Sequence, residues 1–399
     1  MNTWGRFSVE YLGTFLSDQT WERNHTMDKK ETILSKNEEQ LKRDPAVELA
    51  RVPACLIVIG CHIYLQSRFD GSYDSSRLFI SMIFADGVSV FWLIGGAFLF
   101  ENTDYKKLIT RSFKKVFIPM LLMGLIYLCA EAYQAGQGSL HQMIISFGGG
   151  LREAVLNLLK WRNGIQSYGQ SWYVYIYMLL MLVFPALKGV VAFADMTENR
   201  KKVLICGILA TLVWNDLLHN QLASFSHNSI NGLVPAALIS FIGYYLYKEK
   251  DKFKSRKWLL VSPAVFMITN LIRVIIQLHR DTSDISIMYW YSAAGVIAAS
   301  CVLIFCLALI QTRKATRINR AICFAASYTF PVYLIHKLVI RIFDSFGVRR
   351  SLQKIILRWN DRFPGEVLYT LVMITIVFCS SFAIAFIFRL VNKKMTKML

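Results

Sequence analysis

Residues 287–311 read IMYWYSAAGVIAASCVLIFCLALIQ. This stretch contains no Asp, Glu, Lys, Arg or His. As an α-helix, its 25 residues would extend about 38 Å. The hydrocarbon core of a bilayer is about 30 Å thick, so a run of this length and composition is typical of a transmembrane helix.

Similar apolar runs occur along most of the chain, and together they predict an all-α, polytopic bundle of about ten transmembrane helices. The ten runs cover residues 47–67, 78–100, 114–134, 171–194, 202–219, 231–247, 257–278, 287–311, 322–344 and 366–391. A further stretch, 141–160, is interrupted by three glycines at 148–150 and by Arg152 and Glu153. We expect an amphipathic or re-entrant element there, outside the bilayer core.

Three segments follow from this pattern. Residues 1–45 are predicted to be a polar cytoplasmic extension, 46–391 the ten-span domain and 392–399 a short basic cytoplasmic tail. The extension lacks the pattern of a secretory signal, and Met27 could be the start of a shorter product.

Composition excludes several classes of protein. The chain has 399 residues, of which 55% are hydrophobic and only 18% are charged, so a soluble domain is excluded. The net charge of +19 is spread over short clusters between the apolar runs, which argues against a nucleic-acid partner. All eight cysteines lie in apolar runs, which indicates neither a disulfide framework nor a metal site.

The basic clusters predict that both termini are cytoplasmic. Five clusters fall on one side of the predicted bundle: Lys106 to Lys115, Arg200 to Lys202, Lys248 to Lys257, Arg313 to Arg320, and Lys393 to Lys397. Residues 219–230, on the opposite side, contain no Lys or Arg. The loop 345–365 is basic although it falls outside, so we expect it to form an amphipathic helix on the external surface.

Two ionisable residues in the first span form the sharpest candidate pair. Arg51 and His62 are eleven positions apart, so a helix places them within about 20° of one face and about 16 Å apart along its axis. A functional pair is one interpretation. The alternative is that Arg51 reaches lipid headgroups and His62 bonds a neighbouring helix.

The second and third spans contain further polar groups. Asp86 opens a helix in which Gly95 and Gly96 permit close backbone approach. Cations at the entry to the third span could meet the phosphates of a nucleotide-like molecule, although membrane topology alone also accounts for them.

Polar or amphipathic groups also occur in or near the later spans: Glu131, Trp172, Asp216, Arg273 and His336. Glu131 and Arg273 could neutralise one another. Tyr333 and His336 lie one helical turn apart, where they could orient a substrate hydroxyl or close a structural hydrogen bond.

Together these residues resemble the acyltransferase 3 family of bacterial integral-membrane O-acyltransferases, over about residues 46–391. The matching elements are Arg51 with His62, the stretch from Phe84 to Gly96, Arg111 with Pro119, Trp172-Tyr173 ahead of Pro185, and Tyr333 to His336. The chain is most similar to single-module O-acetyltransferases of the family. Gly95 stands where many members have a serine, so a covalent step on a serine is not available at this position.

The resemblance implies transfer of an acyl group, most simply acetyl, from cytoplasmic acyl-CoA to a surface polysaccharide or lipid-linked glycan. The membrane would be the bacterial cytoplasmic membrane, CoA thioester a co-substrate, and no cofactor would be bound permanently. His62 would be the general base, and Asp86 would orient or stabilise Arg51 or His62. CoA would be held by Arg51, Lys107, Arg111 and Lys115, and the acceptor by Trp172, Tyr333 and His336. Direct transfer and a covalent acyl-enzyme relay are both compatible with this assignment.

Two rival interpretations stay open. The bundle could export a polysaccharide or take up a polar solute, with the intramembrane charges lining a path. The chain lacks a detectable inverted repeat, which weakens that interpretation. A structural scaffold in a glycan-assembly complex is the third possibility, and it predicts that Arg51 and His62 are both replaceable.

Overall fold

A computed structural model of the protein describes residues 44–64, 75–102, 104–136, 139–159, 166–217, 230–279, 287, 289–311, 316–359 and 363–395. Within these ranges the chain is helical and contains no strand, so the predicted all-α class is confirmed. The predicted N-terminal extension, with Met27, lies outside the described residues except at 44 and 45. So do residues 396–399 of the predicted basic tail.

The α-helices of the described residues are numbered here in chain order. They are α1 (Pro45–Tyr64), α2 (Ser75–Ile83), α3 (Gly87–Leu99), α4 (Tyr105–Ser112), α5 (Ile118–Gly136), α6 (Leu140–Leu159), α7 (Trp172–Asp195), α8 (Glu198–Leu217), α9 (Leu233–Lys248), α10 (Trp258–Leu278), α11 (Ala293–Gln311), α12 (Thr316–Ala326), α13 (Thr329–Ser345), α14 (Val348–Trp359) and α15 (Phe363–Met395). A π-helical segment, Phe113–Phe117, joins α4 to α5, and a 3-10 turn, Gln166–Ser171, precedes α7.

Seven helical stretches of the described residues are long and apolar enough to cross a membrane. They are Pro45–Ile63, Arg77–Leu99, Tyr105–Gly136, Gly169–Asp195, Trp258–Leu278, Ala293–Ile310 and Phe363–Leu390. The predicted runs 202–219 and 231–247 correspond to α8 and to the shorter α9. The protein is therefore a multi-pass membrane protein. The total of ten spans and the cytoplasmic termini stay predictions.

The predicted span 322–344 consists of two helices rather than one. Arg317–Ala326 and Thr329–Ser345 meet at an angle of 50°. Pro331 lies in the first turn of the second helix. Proline lacks a backbone N–H and fixes its φ, so it favours a helix start and disfavours a helix interior.

The stretch 141–160 also departs from the prediction that three glycines interrupt it. Its three glycines do not interrupt it, because α6 continues through them. A Cβ added to Gly150 would lie 2.9 Å from Leu128 Cδ2 of α5, so this glycine lets α6 approach its neighbour closely. The helix is not among the candidate spans, so the amphipathic interpretation stays a prediction.

The tightest helix contact joins α3 to α9. A Cβ on Gly96 would collide with the Ser240 backbone, and a Cβ on Gly243 would collide with the Leu93 carbonyl. The Ser240 hydroxyl also donates to the Trp92 carbonyl at 3.3 Å. The predicted role of a glycine in close backbone approach therefore applies to Gly96.

The predicted pairing of Glu131 with Arg273 is wrong. Arg273 instead forms a buried, two-pronged ion pair with Asp86, with N–O distances of 2.5 and 3.3 Å. Glu131 lies 3.7 Å from Arg341 in a half-exposed pair. The reason is topological, because α10 packs beside α2 and so brings Arg273 to the junction that Asp86 occupies.

Helix α1 lies at the centre of the bundle. It packs against α3, α11, α12, α13 and α15. Cys55 Sγ lies 3.7 Å from the Thr329 carbonyl, and seven residues further along both helices the His62 ring lies 5.1 Å from the His336 ring. Because residue numbers rise in the same direction at successive contacts, α1 and α13 run parallel. Polar residues of the two helices can therefore meet at the same depth in the bundle.

Candidate functional site

A pocket of about 270 Å³ lies between α1, α3, α7 and α13, next to α4. Its walls are mostly aromatic and aliphatic, and Arg51 is the one ionised side chain among the described residues that line it. We call this space the Arg51 pocket. A largely apolar cavity with one fixed charge is a common form of small-molecule site.

Arg51 is held towards this pocket by its own helix. The Glu48 carboxylate, one turn earlier, lies 3.4 Å from the Arg51 guanidinium. Glu48 is buried, whereas the Arg51 side chain keeps 32% of its surface exposed. Because Arg51 faces a pocket inside the bundle, the structure favours a binding role over contact with lipid headgroups.

The predicted CoA-binding cations stand beside the pocket. Lys107, Arg111 and Lys115 are all exposed, on α4 and the π-helical segment that follows it. Leu108 and Val116, which follow Lys107 and Lys115 directly, line the Arg51 pocket, and Arg111 lies between these two positions on the same helical stretch. The three cations therefore flank one end of the pocket without entering it.

Gly95 also lines the Arg51 pocket. No atom lies within 4 Å of the position that a Cβ would occupy there. This is the position at which the sequence resembles a motif that often carries a serine. A side chain here would project into open space of the pocket.

A layer of aromatic rings lines the pocket on the α13 side. The Tyr333 ring lies 6.1 Å from Phe91, 5.7 Å from Tyr173 and 6.5 Å from Phe330. Its hydroxyl donates to the Gln170 carbonyl at 2.6 Å. Tyr333 lines the pocket and also contacts the His336 ring at 5.8 Å, so it stands between the pocket and that histidine.

Two histidines face each other beyond this layer. The rings of His62 and His336 are 5.1 Å apart, and His336 is fully buried. His336 Nδ1 lies 2.6 Å from the Tyr333 carbonyl, which can only accept a hydrogen bond. Nδ1 therefore carries the proton, and in the neutral ring Nε2 has a free lone pair. His336 Nε2 has no hydrogen-bond partner among the described residues.

Gln170 supports the same region from the turn before α7. Its amide nitrogen donates to the Tyr127 hydroxyl at 3.0 Å, and it lies 3.4 Å from the Leu334 carbonyl. The amide oxygen is buried and has no partner among the described residues. Buried acceptors without partners are uncommon and often mark a place that a ligand or water occupies.

Two predicted site residues lie elsewhere. Both Asp86 oxygens accept from Arg273, so the carboxylate is engaged in the buried ion pair described above. Trp172 is partly buried, stacks on Trp290 at 5.5 Å against the hydrophobic core and is not among the residues that line the Arg51 pocket. Asp216, another polar group singled out in the sequence, accepts from the first N–H of α11 at 2.8 Å.

Several groups at the site were not predicted from the sequence. Gln170 lies in a polar stretch before the fourth apolar run, where nothing marks it as exceptional. Tyr177 lines the pocket and its hydroxyl lies 3.1 Å from the Ser112 hydroxyl. Lys337 follows His336 directly, and a charge inside the apolar run 322–344 was a signal that could have identified it.

Comparison with known proteins gives one match. The sequence model of a family described as an acyltransferase domain, acyltransferase 3, matches residues 44–390, nearly the whole chain. No curated protein and no solved structure matches the chain.

Proposed function

The chain belongs to the acyltransferase 3 family of membrane acyltransferases, and from that premise we propose that it is an O-acyltransferase of surface glycans. It would move an acyl group, most simply acetyl, from cytoplasmic acyl-CoA to a hydroxyl of a polysaccharide or lipid-linked glycan. The bacterial inner membrane would be its location. The observation that carries this proposal is the placement of two residues on α1. Arg51 lines the Arg51 pocket, and the His62 ring faces the ring of His336.

The size of the Arg51 pocket supports a role in holding the acyl end of the donor. At about 270 Å³ it falls just below the usual range for drug-sized ligands, which is about 300–1,000 Å³. It would therefore take the pantetheine arm and acyl group rather than a whole CoA. The nucleotide phosphates would stay outside the pocket, where the side chains of Lys107, Arg111 and Lys115 are exposed.

The histidine pair would supply the proton transfer. His62 takes the proton of the acceptor hydroxyl while the oxygen attacks the thioester carbonyl carbon. A C–O bond forms, the C–S bond breaks, and the departing CoA thiolate recovers the proton from the imidazolium. His336 would stay neutral, with the lone pair of Nε2 beside His62. That lone pair would accept a hydrogen bond from the acceptor or from the His62 ring.

The experiment that tests this proposal is release of free CoA from acetyl-CoA by the purified protein in vesicles that contain its native glycan lipids. We expect His62→Ala to reduce CoA release by a factor of about 10²–10⁴, the usual contribution of general acid–base catalysis. His141→Ala is the matched control, because His141 is exposed on α6. This control should leave CoA release unchanged.

Wild-type rates in a folded His62→Ala variant would remove His62 from the mechanism. Absence of CoA release by folded wild-type protein across several acyl-CoA donors would contradict acyl transfer. Transport would then become the stronger interpretation, with solute movement in the absence of CoA compounds as its measurement.

A further inference from the structure

Lys337 is a partly buried cation beside the histidine pair. Three arginines at the same end of the bundle have carboxylate partners. Arg341 pairs with Glu131, Arg349 with Asp344, and Arg77 with Glu366. Lys337 forms no ion pair with any carboxylate of the described residues.

The surroundings of Lys337 place its ammonium group at the acceptor side of the aromatic layer. A Cβ added to Gly169 would lie 3.1 Å from Lys337 Nζ, so the ammonium rests against the turn that carries Gln170. Lys337 also follows His336 directly, and the His336 ring lies 5.1 Å from the His62 ring near the end of α1. Lys337 therefore lies between the 3-10 turn and the end of α1.

Two buried polar atoms without partners share this region. They are Gln170 Oε1 and His336 Nε2, on side chains that are 1% and 0% exposed. Each can accept a hydrogen bond when His336 is neutral. A cation and two acceptors are complementary to a molecule that carries both a negative charge and hydroxyl groups.

An unpaired ammonium that is partly withdrawn from water is costly, and its cost is removed when an anion binds. We propose that Lys337 is the anion-binding residue of the acceptor site, so the acyl acceptor is a hydroxyl-bearing molecule with a negative charge near its reacting hydroxyl. The term acceptor rests on the proposed function. The charge could belong to a carboxylate on the sugar or to a phosphate in the linkage to a lipid, and the chemistry recognised is the same.

The test is binding rather than turnover. Wild-type protein in nanodiscs is titrated with methyl glucoside, methyl glucuronide and the methyl phosphodiester of glucose, and binding is followed by saturation-transfer NMR. We expect at least one anionic probe to bind about tenfold or more tightly than the neutral glucoside, because a hydrogen bond to a charged group discriminates by at least that factor. Preference for the glucuronide indicates a sugar carboxylate, and preference for the diester indicates a linkage phosphate.

Lys337→Gln should abolish this preference while leaving binding of the neutral probe unchanged. Lys354→Gln is the matched control, since Lys354 is exposed on α14 at the same end of the molecule. Gly169→Ala is a second variant, which keeps the lysine but places a methyl group against its ammonium. It should weaken binding of the anionic probe severalfold.

Equal binding of neutral and anionic probes by wild type, or an unchanged preference in Lys337→Gln, would overturn the proposal. The outcome is independent of the proposed function. Charge preference without any CoA release would leave this anion site standing and refute acyl transfer, whereas CoA release without charge preference would do the reverse.

Discussion

Gly95 and Gly96 are neighbours in α3 with opposite surroundings. Gly95 opens onto the Arg51 pocket, and Gly96 lies against the backbone of α9. The sequence shows only two adjacent glycines and predicts close packing for both. Their difference depends on which side of α3 meets α9, and this is a tertiary contact that local sequence does not contain.

The same substitution at these two positions should therefore have opposite effects. Gly95→Ala should stabilise the protein by up to about 1 kcal/mol, because alanine favours a helix and meets no neighbour. Gly96→Ala should destabilise it by about 1–3 kcal/mol, because the methyl group overpacks a backbone contact. Thermal stability followed by size-exclusion chromatography measures both, and equal shifts of the two variants would contradict the structure.

Tyr333 offers a test of the aromatic layer. Tyr333→Ala should increase CoA release in the absence of any acceptor, because the smaller side chain widens the opening between the Arg51 pocket and the histidine side and admits water. Tyr333→Phe retains the ring and loses only the bond to the Gln170 carbonyl, so acceptor-free CoA release should stay at the wild-type level. An identical background in all three proteins would show that the ring does not separate the two spaces.

At the scale of elements, the apolar runs predicted the helices well because a long run of apolar residues has few alternatives in a membrane. The breaks within runs were harder to predict. The bend between α12 and α13 follows from a local turn and Pro331. The three glycines in α6 do not break that helix, because packing against α5 overrides their low helix propensity.

The junction between α2 and α3 depends on the ion pair of Asp86 with Arg273. Asp86→Asn should cost about 3–5 kcal/mol of stability, because it leaves the guanidinium buried without its counter-charge. Asp86→Asn combined with Arg273→Gln should restore much of that stability, because neither partner is then charged. Chromatographic thermal stability of the two single variants and the double variant measures this coupling.

The same cycle decides whether Asp86 has a catalytic role. If its function is only to neutralise Arg273, the folded double variant should recover CoA release together with stability. A double variant that is stable but inactive would instead indicate that Asp86 takes part in the reaction.

At the scale of the whole molecule, the site is assembled by pairing the first span with one near the other end of the chain. Arg51 and His62 were predictable, since charged and titratable residues within an apolar run are rare. Tyr333 and His336 were candidates as well, but their pairing with Arg51 and His62 was not predictable, because nothing in the sequence states that α1 and α13 run side by side. Long-range pairing of helices is what places His336 at 5.1 Å from His62 and Tyr333 beside the Arg51 pocket.

The open space at Gly95 has an evolutionary consequence. A lineage can replace this residue by a larger or more polar one without disturbing the bundle, and each replacement reshapes the Arg51 pocket. Its neighbour Gly96 allows no such drift. If the Arg51 pocket holds the acyl donor, as proposed, donor preference in such proteins would diversify at the position of Gly95, while the position of Gly96 directly beside it would stay constant.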